Sequence, residues 1–348
     1  MFNVAIIVAA GFLFQSCQKK SQPIPAPPVN TSSIAVTTFA GDGSIGFTNG
    51  PGIQASFYQP ASLTTDASGN IYVSDTGNGL IRRVTSAGEV STIAGIAGVH
   101  NSILGYPFGI VIDAQGNIYV GDVENEQILK IAPGGFISVL AGSGNMGFKD
   151  GPGYTASFNG PYGLAIDGTG NIYVADAGNN AIRKVTPAGY VLTIAGNGTQ
   201  GMVNGPGAQA EFSSPYGIAV NTFGDVFVAD TFNQLIRKVG SDGTVSTVAG
   251  GGSPNSDRPG YFAAPYGIAI DVAGNLYVAD FDANQIRIVN AAGAVSVLAG
   301  SGKKGADNGQ NTTATFGSPS GVALDRKGNV LVADYENNKI RKIFLPNQ

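Results

Sequence analysis

Six aspartates stand in nearly identical surroundings and could form a ring of carboxylates. Most are followed three residues later by an asparagine and seven residues later by an arginine. Such groups could serve chemistry, but short Asp and Asn side chains also cap backbone amides in loops. A set that recurs in every repeat favours an architectural role, with each arginine pairing to its aspartate. The six aspartates of this predicted structural ring are Asp75, Asp122, Asp176, Asp230, Asp280 and Asp334.

Other residue types that carry catalysis are scarce. The chain has one histidine, His100, and one cysteine, Cys17. A histidine-based metal site needs several imidazoles, and one loop histidine cannot build a Ser–His–Asp set convincingly. We therefore predict no catalytic residues and no metal site.

One position varies between the repeats in a way that suits ligand binding. A proline precedes each aspartate by 15 residues, and four consecutive repeats place an aromatic residue directly after it, whereas the outer two have Ala61 and Ser320. We predict an aromatic arc with a gap at one mouth of a central channel, suited to stacking on a sugar or gripping a peptide side chain. The alternative is that these rings pack between repeats beneath the loops. The four candidates are Phe108, Tyr162, Tyr216 and Tyr266.

A glycine-rich stretch at residues 142–153, GSGNMGFKDGPG, contains the G-x-G-x-x-G spacing of dinucleotide-binding loops. Related stretches begin at Gly41, Gly196 and Gly300, and none is followed by a helical pattern. Without a helix N-terminus there is no set of aligned backbone N–H groups that could bind a pyrophosphate. We interpret these glycines as turn formers in crossover loops that frame the binding face.

The elements that position these residues are short strands. Fixed prolines, turn glycines and Ala-Gly pairs define six units that start near residues 60, 107, 161, 215, 265 and 319, and the first five contain four strand patterns each. This predicts an all-β, six-bladed β-propeller of four-stranded antiparallel blades. The sixth unit lacks its fourth strand, and residues 34–41 have that pattern. We expect this N-terminal strand to close the last blade, which would otherwise have an open edge.

Composition and the N-terminus indicate where the protein acts. The 348 residues include 52 glycines and carry a net charge of −4, which gives no footprint for nucleic acid. Residues 1–17 resemble a bacterial lipoprotein signal, with a short apolar run and a small residue before Cys17, the expected lipidation site. Residues 18–33 read as a Pro/Ser-rich tether, and residues 34–348 as the propeller. An uncleaved signal or anchor with an incidental cysteine is the alternative.

The repeated unit, as in NIYVADAGNNAIRKV at residues 171–185, resembles the NHL repeat over about residues 34–344. This resemblance implies a binding platform, although related six-bladed propellers include amidating lyases, streptogramin lyases and lactonases of the gluconolactonase type. The lactonase type is expected to hold a divalent cation through Glu, Asn and Asp, and oxygen ligands would suit calcium. None of the five glutamates lies in a first strand.

We therefore predict an exported, lipid-anchored NHL-repeat propeller in a bacterial cell envelope, in the periplasm or at the outer membrane or surface. It would act as a non-enzymatic platform for a glycan, peptide or protein partner, without a cofactor. The alternative is a gluconolactonase-like or lyase-like enzyme that uses carboxylate and amide ligands and a divalent cation. RNA binding, a third hypothesis, is opposed by the net charge and the export signal.

Overall fold

The computed structural model describes residues 34–97, 103–251 and 260–346. The predicted signal, Cys17, the tether and His100 lie outside these ranges. The described residues form six antiparallel sheets, and their only helical elements are 3-10 turns of three residues. These turns are Gly52–Gln54, Thr76–Asn78, Ala177–Asn179, Gly207–Gln209, Thr231–Asn233 and Asn311–Thr313. None of these turns is long enough to cross a bilayer.

The sheets follow the predicted units, and the numbering runs along the chain. Blade six takes its outer strand from the N-terminus, β1 (Ala35–Ala40). Blade one contains β2 (Gly50–Pro51), β3 (Pro60–Thr65), β4 (Ile71–Asp75), β5 (Leu80–Val84) and β6 (Glu89–Ala94). Blade two contains β7 (Pro107–Ile112), β8 (Ile118–Asp122), β9 (Gln127–Ile131) and β10 (Ile137–Ala141). Blade three contains β11 (Pro161–Ile166), β12 (Ile172–Asp176), β13 (Ala181–Val185) and β14 (Val191–Ala195).

The second half of the chain repeats the arrangement. Blade four contains β15 (Gly205–Pro206), β16 (Pro215–Val220), β17 (Val226–Asp230), β18 (Leu235–Val239) and β19 (Thr244–Gly250). Blade five contains β20 (Pro265–Ile270), β21 (Leu276–Asp280), β22 (Gln285–Val289) and β23 (Val295–Ala299). Blade six is completed by β24 (Gly309–Gln310), β25 (Pro319–Leu324), β26 (Val330–Asp334) and β27 (Lys339–Phe344).

The six blades form a closed ring. Each first strand contacts the first strand of the next blade, in the order β3, β7, β11, β16, β20, β25 and back to β3. The apolar cores lie between neighbouring blades; for example, Tyr173 and Ala175 of blade three pack with Ile218 and Val228 of blade four. The predicted six-bladed β-propeller is confirmed.

The closing strand is also confirmed. β1 pairs antiparallel with β27, so that Ala35 lies opposite Phe344 and Val36 opposite Ile343. Ile34 and Val36 are buried and pack with Val330 and Ile343 in the core between blades five and six. The outer edge of blade six is therefore supplied from the opposite end of the chain.

Three blades exceed the four strands that the sequence predicts. The two-residue strands β2, β15 and β24 pair with the outer strands β6, β19 and β1, and give five-stranded sheets. They come from the glycine-rich crossovers, each of which reaches an outer strand through two residues before a single 3-10 turn. The crossovers are thus part of the sheets, and the predicted count of four strands holds for blades two, three and five.

In five of the six blades a glycine stands two residues after the proline that begins the unit (the unit proline) and sets the spacing of the inner strands; blade one has Ser62 there. A Cβ on Gly217 would lie 1.9 Å from the carbonyl oxygen of Tyr266 and 3.1 Å from the Cα of Gly267. The obstacle is backbone of the next blade, which cannot rotate away. Equivalent close approaches occur at Gly109, Gly163, Gly267 and Gly321.

We expect Gly217→Ala to lower the free energy of unfolding by about 1–3 kcal/mol or more, because overpacking a close backbone contact typically costs that much. Urea denaturation measures this loss. The control is Gly168→Ala, where nothing lies within 4 Å of the added Cβ and where reduced chain entropy predicts no loss or a gain of up to about 1 kcal/mol. Equal urea midpoints of unfolding for Gly217→Ala and Gly168→Ala would contradict the close packing of the inner strands.

Candidate functional site: an aromatic collar at the channel mouth

The candidate site lies at the end of the propeller where the first strands begin. Pro107 pairs with Asp122 there. In every other blade the unit proline likewise pairs with the aspartate of the predicted structural ring, which we call the marker aspartate. The crossovers and the loops between second and third strands therefore share this end, which we call the upper face. The turns between first and second strands, and between third and fourth strands, form the lower face.

The marker aspartates form buried locks at the upper face. Asp176 accepts hydrogen bonds from the backbone N–H of Asn159 (2.8 Å) and the Asn179 amide (2.8 Å), and pairs with Arg183 at 2.5 Å. All six aspartates are fully buried. Their oxygens tie the crossover to the second and third strands, and none is exposed to a ligand.

The arginines complete these locks. Arg183 donates to the carbonyl oxygens of Ser157 (3.1 Å) and Lys149 (3.0 Å) and lies 5.2 Å above the Phe158 ring. The same pairing joins Arg82, Arg237 and Arg341 to their aspartates at 2.7–2.8 Å, and Arg287 at 3.4 Å. Burial raises the pKa of Asp176 to about 6, although Arg183 and Asn179 act in the opposite direction.

Blade two keeps the lock without an arginine. Leu129 occupies that position and is buried. Asp122 instead accepts hydrogen bonds from the backbone N–H groups of Gly105 (2.9 Å) and Tyr106 (3.1 Å) and from the Asn125 amide (2.8 Å). The carboxylate remains satisfied because both oxygens have donors.

The four aromatic residues predicted as an arc do come together. The ring centroids of Phe108 and Tyr162 are 4.9 Å apart, those of Tyr162 and Tyr216 are 4.4 Å apart, and those of Tyr216 and Tyr266 are 4.6 Å apart. These distances are those of favourable aromatic pairs. All four side chains are only partly buried, so each keeps some surface open to solvent.

Three further aromatic residues, which the sequence did not single out, extend the arc. Phe281 stacks on Tyr266 with centroids 4.4 Å apart and planes inclined by 18°, and Tyr335 lies 6.0 Å from Phe281. The hydroxyl of Tyr335 lies 3.3 Å from that of Tyr106, which is next but one to Phe108 in the chain. Together these seven residues form a circuit of rings around the channel mouth, which we call the aromatic collar.

The predicted gap in the arc is therefore wrong. Ala61 and Ser320 are small, as noted, but both are buried, and the Ser320 hydroxyl donates to the Ala61 carbonyl oxygen (2.7 Å). Tyr106, in the loop before β7, and Tyr335, in the loop after β26, contact each other through their hydroxyls and complete the ring of aromatic residues where Ala61 and Ser320 leave none. A signal was present, because Phe281 and Tyr335 directly follow marker aspartates where the other blades have Thr76, Val123, Ala177 and Thr231.

Four of the collar hydroxyls, those of Tyr162, Tyr216, Tyr266 and Tyr335, are neutral donors and acceptors at physiological pH. Burial raises the pKa of Tyr162, Tyr216, Tyr266 and Tyr335, and neighbouring tyrosines raise it further in Tyr162 and Tyr335. The collar thus combines apolar ring surface with uncharged hydroxyl groups, a combination that suits recognition of a partly apolar ligand.

Beneath the collar the channel holds a cavity of about 310 Å³. Its wall is made by the first strands and includes the apolar side chains of Leu63, Ile110, Leu164, Ile218, Ile268 and Val322. Across residues 34–97, 103–251 and 260–346, no three His, Cys, Asp or Glu side chains lie close enough to hold a metal ion.

Comparison with known proteins agrees with this architecture. The model of the teneurin NHL domain matches residues 36–208, and that of the NHL repeat matches residues 316–343. These matches and the six blades define a six-bladed propeller built from NHL repeats. The chain is an NHL-repeat β-propeller protein.

Individual relatives share parts of it. The chloroplastic protein SUPPRESSOR OF QUENCHING 1 of Arabidopsis thaliana is 36% identical over 108 residues, 30% of this chain, and the match spans a tenth of that relative's length. A structural genomics protein of unknown function from Bacteroides thetaiotaomicron superposes with a TM-score of 0.70 at 19% identity, over 90% of this chain and 76% of its own. An auxiliary nutrient binding protein from the same organism gives 0.68 at 16% identity, over 89% and 76%. At these identities the structural matches establish the fold.

Proposed function

We propose that this protein is an exported, lipid-anchored binding platform that takes a glycan, peptide or protein partner on its aromatic collar. The observation that carries the proposal is the collar itself. Seven partly exposed rings converge at one channel mouth, whereas the repeated charged groups are buried in locks. Convergent aromatic surface with a few polar groups is typical of ligand sites.

The position of the N-terminal strand supports an anchored role. β1 runs from the lower to the upper face: Ala35 lies opposite Phe344, and the neighbouring Leu345 bonds to Asn329 in a lower-face turn (3.2 Å). A tether that precedes Ile34 would leave from the lower face. With lipidation at Cys17, the collar would point away from the membrane and towards its partner.

The binding role also agrees with the structural relatives described as auxiliary nutrient binding proteins from two Bacteroides species. A bacterial envelope location follows from the same proposal. Metabolic labelling with a fatty-acid analogue tests the anchor: wild-type protein is expected to incorporate the label and Cys17→Ala is not. Equal labelling of both would refute the lipidation.

The binding role is tested by changing Tyr162, Tyr216 and Tyr266 together to Ala. Glycan and peptide arrays are probed with the domain from residue 34 onward. We expect the triple variant to weaken the strongest array signal by at least about a hundredfold in Kd, because buried aromatic anchors each contribute roughly 2 kcal/mol or more. Circular dichroism checks that the variant remains folded.

The matched control removes three exposed aromatic residues from the lower face, Phe136, Tyr190 and Phe223, which are 74%, 46% and 81% exposed. This control is expected to bind as the wild type does. If the collar variant folds and keeps every array signal, the collar is not the binding site.

A further inference from the structure

The loops that follow the marker aspartates on the upper face carry negative charge and no positive charge. The six loops that follow the marker aspartates, each four residues long, contain four acidic residues and no lysine or arginine. The residues that follow the unit prolines are also uncharged. The acidic residues are Glu124, Glu126, Asp282 and Glu336. The loops between second and third strands are therefore uniformly negative or neutral on the upper face.

Two of these carboxylates lie beside collar rings. Glu126 accepts a hydrogen bond from the backbone N–H of Gly160 (2.6 Å), two residues before Tyr162, and its charge contributes to the raised pKa of the Tyr162 hydroxyl. Asp282 is exposed, follows Phe281 in the chain, and contributes to the raised pKa of Tyr266.

The other two acidic residues, Glu124 and Glu336, differ in whether a lysine or arginine offsets their negative charge. Glu336 pairs with Lys304 at 2.5 Å, so a lysine already offsets its charge. No ion pair with a described residue involves Glu124, Glu126 or Asp282. The collar thus lies among carboxylates that the described part of the chain leaves without a cation.

The collar rings also differ from the aromatic rings that pack within and between the blades. Phe57, Phe158, Phe212, Phe262 and Phe316 each have an arginine over the ring at 5.1–5.7 Å. On the lower face, Lys130 and Lys184 lie over Tyr119 and Tyr173 at 5.7 and 5.6 Å. Among the described residues, no lysine or arginine lies over a collar ring.

We propose that the collar binds an organic cation, the ammonium or guanidinium group of a lysine or arginine side chain presented by a peptide. Aromatic rings attract such cations through the electrostatic potential of their faces, and the effect grows as the cation is desolvated. Uncompensated carboxylates beside the rings add attraction and raise the association rate. A neutral glycan would lack the positive charge that the ring faces and the carboxylates both attract.

The surroundings of the collar favour a peptide over a free amine. Phe232 is 64% exposed and lies 6.4 Å from Tyr216, and Met146 and Met202 are 69% and 65% exposed on the crossovers of the same face. Phe232 extends the aromatic surface beyond the reach of a single ammonium group, and the two methionines add apolar surface on the same face. A peptide could insert its cation into the collar and lay neighbouring side chains on this rim.

The inference rests on the proposed binding function and has its own test. Isothermal titration measures the binding of a lysine-containing peptide selected on the array, the same peptide with that lysine acetylated, and free butylamine. Acetylation removes the charge while keeping the stem. We expect acetylation of the lysine to weaken binding of the peptide by about tenfold or more, equivalent to about 1.4 kcal/mol. We expect butylamine to bind more weakly than the unmodified peptide.

The protein side is tested with Glu126→Gln and Asp282→Asn, separately and together. Glutamine keeps an oxygen that can accept from the Gly160 N–H, so the contact between blade two and the crossover into blade three is preserved. The double variant is expected to lose about tenfold in affinity for the lysine peptide and almost none for the acetylated one. The control is Asp242→Asn, an acidic residue of a lower-face turn.

The outcomes separate the two proposals. If the acetylated and free peptides bind equally, or the double variant binds as the wild type does, the cation proposal is wrong. Should a neutral glycan bind and the tyrosine triple variant abolish its binding, the collar remains the site and only the cation proposal fails. Butylamine binding as tightly as the peptide would overturn the assignment of a peptide partner.

Discussion

Replacing Arg183 with methionine is expected to lower the free energy of unfolding by about 3–5 kcal/mol, the usual cost of leaving a buried charge without its partner. The arginine is fully buried, pairs with Asp176 at 2.5 Å and Asp150 at 2.6 Å, and donates to two crossover carbonyls. Methionine keeps much of the volume and removes every one of these bonds. Denaturant titration of the folded domain measures the loss.

Two comparisons separate charge from packing. In Asp176→Asn/Arg183→Met the unpaired charge is absent, so we expect this double variant to be more stable than Arg183→Met alone. Leu129→Met changes the same position in blade two, where Asp122 is held by backbone amides, and is expected to cost less than about 1.5 kcal/mol as a volume-conserving change. Equal stability of the single and double variants would contradict a lock based on charge.

The lock also predicts a dependence on pH. Burial raises the pKa of Asp176 to about 6 in the folded protein, and removal of Arg183 removes an interaction that lowers it. A raised pKa favours the protonated folded state, so its contribution to stability is present at low pH and is lost as pH rises. The deficit of Arg183→Met relative to the wild type is therefore expected to be smaller at pH 5 than at pH 8.

Removing residues 34–40 is expected to abolish cooperative folding of blade six. These residues form β1, which pairs with β27 and β24, and bury Ile34 and Val36. Loss of the two side chains alone costs roughly 3–6 kcal/mol at about 1.5–3 kcal/mol each, comparable with the total stability of many domains. The exposed edge of β27 would also invite association between molecules.

Thermal melting and size-exclusion chromatography test this prediction. A chain that begins at Ile34 is the control and is expected to melt sharply as a single species. The chain that begins at Gly41 is expected to melt at least 10 °C lower or to elute as oligomers. A truncated chain that melts within 2 °C of the control would mean that the ring does not depend on this strand.

The sequence predicted the blades because their spacing is rigid. Every unit keeps the same distance from its proline to its aspartate, since neighbouring inner strands allow no extra residue and, at Gly217, no Cβ. The short strand Gly50–Pro51 was missed because it interrupts a glycine-rich loop that has no strand pattern. Its pairing with β6 depends on where the crossover passes the outer edge of the blade.

The collar was predicted only in part for a related reason. Phe108, Tyr162, Tyr216 and Tyr266 share one register position and could be compared between units. Tyr106 directly precedes the unit proline of blade two, and no other unit has an aromatic residue there, so comparison between units does not mark the position or pair it with Tyr335. Their hydroxyl contact at 3.3 Å joins residues 229 positions apart and follows from closure of the ring.

A crystal structure of the domain with its strongest array ligand would show directly whether the collar is the binding site. We expect the ligand to lie on the upper face, with its main contacts to Tyr162, Tyr216, Tyr266 and Phe281, and pairs such as Asp176–Arg183 to remain unchanged beneath it. A ligand bound in the channel cavity from the lower face, or along an outer strand with the collar rings untouched, would contradict binding at the collar.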